Sequence, residues 1–375
     1  MDALMLPLNW QRVRLGDIGK PCMCKRVMKH QTTRYGEIPF YKIGTFGNTA
    51  DAFISKKLFL EYKTKYSFPK KGDVLISASG TIGRAVIYDG KPAYFQDSNI
   101  VWIDNDETLV KNDFLFYAYS NVKWNTEHTT ILRLYNDNFR NTLIPLPPLN
   151  EQSAIANILS ALDNYLHALR ALILKKESVK KALSFELLSQ RKRLKGFNQA
   201  WQRVRLGDIC EITTGSLDAN EMVHYGKYRF YTCAKEYYFI DKYAFDTEAI
   251  LISGNGAYVG YVHYYKGKFN AYQRTYVLDN FSEHIIFVKY FLKMFLQSHI
   301  QTNRNEGNTP YIVMATLKDF EILLPSLNEQ IAIANILSAL DNEIASLKNK
   351  KRQFENIKKA LNHDLMSTKI RVLEK

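Results

Sequence analysis

Two long stretches of the chain carry apolar residues at heptad spacing. The first stripe comprises Ile155, Ile158, Leu159, Leu162, Leu166, Leu169, Leu172, Ile173, Val179, Leu183 and Leu187. The second comprises Ile333, Ile336, Leu337, Leu340, Ile344, Leu347, Phe354, Ile357, Leu361 and Leu365. Apolar residues at the a, d and e positions of a heptad predict amphipathic helices. Each helix would have roughly 40–45 residues and a length of about 60–65 Å.

Helices of this length with a continuous apolar stripe need a packing partner. We predict that the two helices form an antiparallel coiled coil with each other. A parallel pair is the alternative, whereas two helices packed separately on their own domains would leave both stripes unexplained. Asn150 and Asn328 are predicted as helix N-caps, and Gly196 is predicted to close the first helix.

The block before each helix has the pattern of a strand, a Ser/Gly loop and a second strand. The first strand and the loop occupy residues 72–83 and 249–260, and the second strand occupies 85–88 and 261–264. A third strand is predicted at 95–103 and 271–278, and a helix at 113–123 and 283–298. Each block is therefore predicted to be a small α+β domain of roughly 130–145 residues.

The chain is an internal repeat whose two copies are nearly identical at two seams. Residues 10–18 recur unchanged at 201–209, and residues 149–164 recur at 327–342 with one difference, Ser153 against Ile331. The blocks between the seams differ, which indicates a shared frame that carries two different reading surfaces. The predicted domains are 1–148, the helix 149–195, 196–326, and the helix 327–375.

Composition narrows the class of partner. The net charge of +14 and the abundance of Tyr and Phe favour nucleic acid, although Lys can also serve solubility alone. No apolar run approaches the roughly 18–20 residues of a membrane span, and the N-terminal sequence does not resemble a signal peptide. We therefore expect a cytoplasmic protein without a membrane partner. The four cysteines lack metal-ligand spacing and are expected to be reduced.

The sequence carries no recognisable catalytic motif. It contains no Walker A sequence, no dinucleotide-binding or S-adenosylmethionine-binding loop, and no nuclease or metal-binding cluster. The glycines of residues 254–256 are followed by a strand pattern, so the helix N-terminus that would bind a phosphate is missing. We therefore predict a protein without catalytic residues, metal ligands or a cofactor of its own.

The candidate DNA-binding residues lie in the two Ser/Gly loops, in the segments that follow them, and in a second segment before each Pro-containing stop, at 128–133 and 303–311. Small hydroxyls and backbone N–H groups can approach a phosphate, and Gln and Arg can bind base edges. A tight strand connection with surface glutamines is the alternative interpretation. The candidates are Ser77, Ser79, Thr81, Arg84, Gln96 and Arg133 in the first copy, and Ser253, Asn255, Tyr258, Gln273, Arg274, Arg304, Asn308 and Tyr311 in the second. Gln96 and Gln273 are predicted to occupy equivalent positions.

Together these motifs resemble the specificity subunit of type I restriction–modification systems. The resemblance rests on the Trp-x-x-Val-x-Leu-Gly-Asp-Ile openings at Trp10 and Trp201, the Leu-Asn-Glu-Gln helix starts at 149–152 and 327–330, and the loop of residues 72–83. It covers essentially the whole chain. The second copy departs from the loop pattern at 255–258, so contacts cannot be transferred from one half to the other.

The resemblance implies two tandem target recognition domains separated by the coiled coil, related by a pseudo-two-fold repeat. It implies a bipartite double-stranded DNA target, two methyltransferase subunits and restriction/translocase subunits as partners. S-adenosylmethionine and ATP with Mg²⁺ would then belong to those partners. Added or deleted helix turns would alter only the unspecified spacer of the target. A coiled-coil scaffold that tethers two divergent protein- or RNA-binding domains is the alternative function.

Overall fold

The computed structural model describes residues 9–128, 132–303 and 310–372, and the chain divides into two compact units. Unit 1 comprises Met1–Arg170 and Lys350–Lys375, and unit 2 comprises Ala171–Asn349. Each unit therefore contains one variable block together with a part of both long helices.

Unit 1 contains short strands, four short α-helices, the start of the first long helix and the end of the second. Its elements are β1 (Gln11–Arg14), α1 (Leu15–Ile18), β2 (Gly19–Met23), β3 (Ile38–Tyr41), β4 (Phe53–Ile54), α2 (Lys56–Lys65), β5 (Val74–Ser77), β6 (Ala85–Ile87), β7 (Tyr94–Phe95), β8 (Ile100–Asn105), α3 (Asn112–Tyr119), β9 (Glu127–His128), β10 (Leu132–Arg133), α4 (Asn136–Asn141), β11 (Leu143–Leu146) and α5 (Leu149–Leu188). Strands β2, β8, β5 and β6 form one sheet, and β4, β3 and β7 form another. The pairs β1–β11 and β9–β10 complete the unit.

Unit 2 gathers the corresponding strands into one sheet. Its elements are β12 (Gln202–Arg205), α6 (Leu206–Ile209), β13 (Glu211–Thr214), β14 (Tyr228–Tyr231), β15 (Tyr238–Ile240), β16 (Phe245–Ser253), β17 (Val262–Ala271), β18 (Thr275–Asp279), α7 (Ile285–Asn303), α8 (Met314–Lys318), β19 (Glu321–Leu324) and α9 (Leu327–Met366). The sheet has the order β13-β18-β16-β17-β14-β15, and β12 pairs with β19. Strand β17 takes the places of both β6 and β7, which Gly90 and Pro92 separate in unit 1.

The prediction of a single third strand at 95–103 and at 271–278 is wrong. In unit 1 the chain turns between β7 and β8, where Ser98 has a positive φ of 57°. In unit 2 residue 271 ends β17 and a turn leads to β18, closed by the bond from Thr275 N–H to the Tyr272 carbonyl at 2.8 Å. Each apolar run that suggested one strand therefore belongs to two buried strands, which a turn separates.

The two long helices run antiparallel where they meet in unit 1. Lys358 Nζ lies 2.6 Å from Asp163 Oδ1, and Arg170 Nη2 lies 3.0 Å from Glu355 Oε1. The sequence number thus rises along α5 while it falls along α9. Below these ion pairs, Leu365 of α9 joins the same buried core as α5 and the first sheet. Apolar burial contributes most to this packing, because ion pairs that remain partly open to solvent contribute little.

Unit 2 repeats the antiparallel arrangement with different ion pairs. Lys176 Nζ lies 2.8 Å from Glu343 Oε1, and Lys180 pairs with Asp341. The prediction of an antiparallel helix pair is confirmed within each unit. Several residues of the apolar stripes remain exposed, however, because the interface between two helices is narrower than the predicted a, d and e face. They are Ile158, Leu172, Val179 and Ile357.

The ends of the long helices differ slightly from the prediction. The helices begin at Leu149 and Leu327, so Asn150 and Asn328 lie inside the first turn and are not the N-caps. The first helix ends at Leu188, where Gln190 adopts a positive φ of 63°, and Lys192 N–H donates to the Glu186 carbonyl. Gly196 has a positive φ but belongs to the following connection. Gln190 therefore takes the left-handed position that had been expected of glycine.

The two identical seams contact each other, which explains why they recur together. In unit 2, Trp201 Nε1 donates to Glu329 Oε2 at 3.2 Å, and Arg193 donates two hydrogen bonds to the same carboxylate at 3.0 and 2.7 Å. Glu329 is fully buried. Charge-assisted bidentate pairs are strong and geometrically specific. The contact therefore joins the block opening, the start of α9 and the segment after α5; we call it the Trp–Glu–Arg clasp.

Unit 1 contains the same clasp, built from residues at equivalent positions. Trp10 Nε1 donates to Glu151 Oε2 at 3.0 Å, and Arg371 donates to the Glu151 carboxylate at 3.0 and 3.3 Å. The neighbouring Gln152 donates to the carbonyls of Pro147 and Leu109. The Asn-Glu-Gln sequence thus attaches each block to its helix. The end of the first long helix is rich in lysine and arginine, a pattern typical of solvated helix flanks. Arg193 in this run is instead engaged in the clasp.

Candidate nucleic-acid interface

The Ser/Gly loop of unit 1 is a tight turn between β5 and β6. Gly83 N–H donates to the Ser77 carbonyl at 2.9 Å and closes the turn. Ala78 N–H donates to the Asn99 carbonyl, and Leu134 N–H donates to the Ala78 carbonyl, both at 2.8 Å. The turn is therefore held between two neighbouring segments, which orient the residues at its tip.

Unit 2 reproduces this arrangement between β16 and β17. Gly260 N–H donates to the Ser253 carbonyl at 2.7 Å, Gly254 N–H donates to the Arg274 carbonyl at 2.8 Å, and Ile312 N–H donates to the Gly254 carbonyl at 2.9 Å. The backbone frame of the turn is thus common to both units although its sequence is not. This is the geometry expected of a scaffold that carries different reading residues.

Three predicted candidates are buried beneath the turns. Ser77 Oγ donates to the Thr81 carbonyl and accepts the Arg84 N–H at 2.9 Å. Ser79 Oγ donates to Asn99 Oδ1 at 2.7 Å. Ser253 is fully buried, and its hydroxyl finds no hydrogen-bond partner among the residues that the structure describes. In this conformation these serines support the turn and do not face solvent.

The exposed candidates of unit 1 are Thr81, Arg84 and Arg133. Arg84 follows the turn, and its Nη1 donates to the Phe46 carbonyl at 2.9 Å, which orients the guanidinium while other donors stay available. Arg133 pairs with Ser79 in an isolated bridge, so it lies beside the turn despite the sequence separation. The structure therefore brings Thr81, Arg84 and Arg133 to one edge of unit 1.

The predicted equivalence of Gln96 and Gln273 is wrong by one residue. Gln96 N–H donates to the Tyr41 carbonyl, and in unit 2 the matching bond runs from Tyr272 N–H to the Tyr231 carbonyl, both at 2.9 Å. The half-buried Gln96 side chain accepts the Ile43 N–H at 3.0 Å through Oε1, whereas Gln273 is exposed. The turn that follows is one residue shorter in unit 2, which shifts the two glutamines out of register.

The unit 2 candidates surround their turn in a comparable way. Asn255 and Tyr311 form an isolated bridge, and Arg274 is exposed while its carbonyl accepts from the turn. Tyr258 is 43% exposed, and Lys235 Nζ lies 5.1 Å from its ring centroid. Arg304 and Asn308 lie outside the described residues.

Sequence reasoning missed an aromatic and basic surface on the β14–β15 side of unit 2. The Arg229 guanidinium lies 4.3 Å from the Tyr237 ring centroid and 4.4 Å from that of Tyr265. Large side chains exposed on this unit include Tyr225, Tyr237, Tyr238, Phe239, Tyr243, Tyr258 and Tyr261. Aromatic rings interleaved with cations suit nucleic-acid surfaces. The density of tyrosine in residues 224–276 was the available signal.

Within residues 9–128, 132–303 and 310–372, no three His, Cys, Asp or Glu side chains are grouped so as to hold a metal ion. In the same part of the chain, no helix is both long enough and apolar enough to cross a membrane. The exposed side chains at the repeated turns include Arg and Thr in unit 1 and Arg and Tyr in unit 2.

The sequence profile of the type I restriction modification DNA specificity domain matches this chain twice, at residues 7–177 and 198–356. The chain belongs to this family. The two matches coincide with the two copies of the repeat and cover most of the sequence.

Individual relatives agree with this assignment. A putative type I restriction enzyme specificity subunit of Haemophilus influenzae is 59% identical over 158 residues, which are 42% of this chain and 41% of that protein. The chain thus spans less than half of that relative. The MjaVIII specificity subunit of Methanocaldococcus jannaschii is 27% identical, with 99% of this chain and 95% of that one aligned.

A solved structure shares the fold over nearly the whole chain. The crystal structure of the type I restriction–modification S subunit from M. genitalium superposes with a TM-score of 0.67 at 18% identity, covering 96% of this chain and 98% of that one. The predicted fold class, two α+β domains with a long antiparallel helix pair, is confirmed.

Proposed function

We propose that this chain is the DNA-reading specificity subunit of a type I restriction–modification complex. One observation carries the proposal: two turns with the same backbone hydrogen bonds present different exposed side chains. Thr81, Arg84 and Arg133 surround the first, and Tyr258, Arg274 and Tyr311 surround the second. Phosphate contacts would position such a surface, and contacts with base edges would supply specificity. Each unit reads one half of a bipartite double-stranded target.

The two half-sites differ in sequence because the two surfaces differ in chemistry. Unit 1 presents a short hydroxyl and two guanidinium groups, whereas unit 2 adds tyrosine rings and Lys235. Guanidinium groups suit guanine edges, and aromatic rings suit apolar or stacking contacts. The target is therefore asymmetric.

Partner subunits supply the chemistry. Two methyltransferase subunits bind the chain and bring S-adenosylmethionine, and restriction/translocase subunits bring ATP and Mg²⁺. Apolar side chains exposed on the long helices support this docking. They are Leu149, Ile158 and Ile357 in unit 1, and Leu172, Leu174, Val179, Phe185 and Leu327 in unit 2. An assembly that works on chromosomal DNA places the chain in the cytoplasm.

Deletion of the gene should abolish adenine methylation at one split motif of the host genome. The physical reason is that the methyltransferase subunits would then lack the surfaces that select the site. Sequencing of methylated adenines with and without the gene measures this loss, and the restored wild-type gene is the control. If every split motif keeps its methylation although the complete complex is expressed, the chain does not read DNA and the scaffold hypothesis replaces the proposal.

A further inference from the structure

A cleft of about 350 Å³ in unit 2 lies where α7 faces the antiparallel parts of α5 and α9. Basic side chains dominate its lining, which includes Lys180, Lys181, Lys293 and Lys348. Asp341 and Glu177 are the acidic residues of the lining. The cleft is therefore a concave surface with an excess of positive charge, built from three helices of one unit.

Its carboxylates are already engaged. Lys180 pairs with Asp341, which also accepts the Tyr290 hydroxyl through Oδ2 at 2.6 Å, and Lys348 Nζ lies 2.6 Å from Glu177 Oε1. Helix α7 carries Lys293, which lines the cleft, and Lys289, which lies one turn before it and outside the lining. Neither forms an ion pair in the part of the chain that the structure describes. Their charges are thus left for a ligand.

Burial destabilises the charged form of both lysines, and two tyrosine rings offset part of this cost for Lys289. Lys289 is half-buried, with its Nζ 4.3 Å from the Tyr290 ring centroid and 5.2 Å from that of Tyr264. Burial, and then the neighbouring Lys293, lower the pKa of Lys289 to about 8. Burial also lowers the pKa of Lys293, whose side chain is nevertheless open to solvent inside the concave surface. A bound anion would stabilise the charged forms of both lysines.

The equivalent cleft of unit 1 provides an internal comparison. Tyr117 donates to Asp163 Oδ2 at 2.8 Å, and Lys358 pairs with the same carboxylate, as Tyr290 and Lys180 do with Asp341. Here the positions of Lys289 and Lys293 are taken by Phe116 and Ser120. The Tyr–Asp–Lys framework is thus common to both units, and the two additional lysines belong to unit 2 alone.

The unit 1 comparison also indicates which anion the cleft takes. That cleft is bordered by Gly83 and Arg84, the end of the candidate reading turn. In unit 2, Gln297 of α7 likewise donates to the Val259 carbonyl of its turn at 2.9 Å. Helix α7, which borders the unit 2 cleft, thus also contacts the turn that would face the duplex. An anion that follows this surface is the phosphodiester backbone.

We infer that Lys293 in the unit 2 cleft and Lys289 one turn before it on α7 bind backbone phosphates of duplex DNA, and that unit 1 lacks this pair of lysine contacts. The inference rests on the proposed function, since it places the duplex along the reading turns. It makes the two halves unequal in electrostatics, because unit 2 has two lysines on α7 where unit 1 has Phe116 and Ser120. Each phosphate neutralised contributes about 0.9 to the salt slope of binding.

The test replaces both lysines, as Lys289→Met/Lys293→Met, in the complex of the full chain with its methyltransferase subunits. Fluorescence anisotropy with a 30-base-pair duplex of arbitrary sequence is measured over a series of salt concentrations. We expect the slope of log K against log [salt] to fall by about one to two, with roughly 10-fold weaker binding at physiological salt. Lys175→Met/Lys195→Met, which removes two exposed charges of unit 2 outside the cleft, should keep the wild-type slope.

The pH dependence gives a second measurement of the same contact. Lys293 from α7, Lys180 from α5, Asp341 from α9 and the Tyr264 ring from the sheet face Lys289. Because Lys289 loses its proton as the pH rises through about 8, anion binding should weaken between pH 7 and pH 9. In the double variant, DNA binding should no longer weaken in this way between pH 7 and pH 9.

A variant slope equal to that of the wild type would overturn the inference. If the variant instead fails to assemble with the methyltransferase subunits and any complex that forms keeps the wild-type slope, the cleft binds an acidic surface of a partner, and the inference is also wrong. Failure of the proposed function looks different: the wild-type complex would then bind duplexes with and without the methylated motif equally well, whatever the variant does.

Discussion

Replacement of Arg193 by Met is expected to lower the free energy of unfolding of unit 2 by about 3–5 kcal/mol. The substitution removes both guanidinium hydrogen bonds to Glu329, whose side chain is 1% exposed. The carboxylate would keep the Trp201 indole donor but would lose its counter-charge inside the protein. A substitution that leaves a buried charge without its partner is among the most destabilising single substitutions. Hydrogen exchange measured by mass spectrometry should become faster than in the wild type. The increase should be larger in β16, β18 and α7 than in unit 1.

Two variants distinguish the buried charge from other causes. Arg203→Met breaks an ion pair with Glu321 in the same unit, but these side chains are 66% and 55% exposed, so the loss should stay below about 1 kcal/mol. Arg193→Met/Glu329→Met removes both charges and should recover a large part of the stability, because an apolar pair of similar volume can replace a buried ion pair. Equal destabilisation by Arg193→Met and Arg203→Met would contradict the role of the clasp.

The sequence predicted the elements whose signal is periodic or repeated. The heptad stripes predicted both long helices and their antiparallel pairing, since two continuous stripes leave each helix in need of the other. The repeated seams predicted two equivalent blocks, and the strand–loop–strand pattern located both turns. These features depend on local spacing, which a single sequence displays directly.

The clasp could not be predicted in this way. Arg193 and Glu329 are 136 positions apart, and nothing local separates Arg193 from the solvated Lys192 beside it. The predicted equivalence of Gln96 and Gln273 is wrong for a related reason. A single residue lost in the turn before β18 is invisible until the backbone hydrogen bonds identify Tyr272 as the true counterpart of Gln96. Tertiary contact, and not residue type, decides both cases.

The replacement of Gly83 by Ala should destabilise the turn of unit 1 by about 2–5 kcal/mol, through two separate effects. The residue has a φ of +82°, which costs an L-residue about 1–2 kcal/mol. Its new Cβ would also lie 2.1 Å from Trp124 Nε1, so the indole ring must move and disturb its packing against Tyr119 and Phe139. Overpacking of this kind costs a further 1–3 kcal/mol or so. Chemical denaturation measures the loss, and adenine methylation at the split motif should fall with it.

Gly80→Ala is the matched control within the same turn. Gly80 also has a positive φ of 67°, but the nearest atom to its new Cβ is Ile43 Cγ1 at 4.0 Å, so the conformational effect of about 1–2 kcal/mol stands alone. The repeat supplies the same contrast in unit 2, where a Cβ on Gly256 meets open space and a Cβ on Gly260 would lie 2.4 Å from Ile300 Cδ1. If the turns orient the reading residues, Gly83→Ala should weaken selection of one half-site and Gly260→Ala selection of the other. Equal effects of the Gly80 and Gly83 substitutions would mean that the contact with Trp124 does not hold the turn in place.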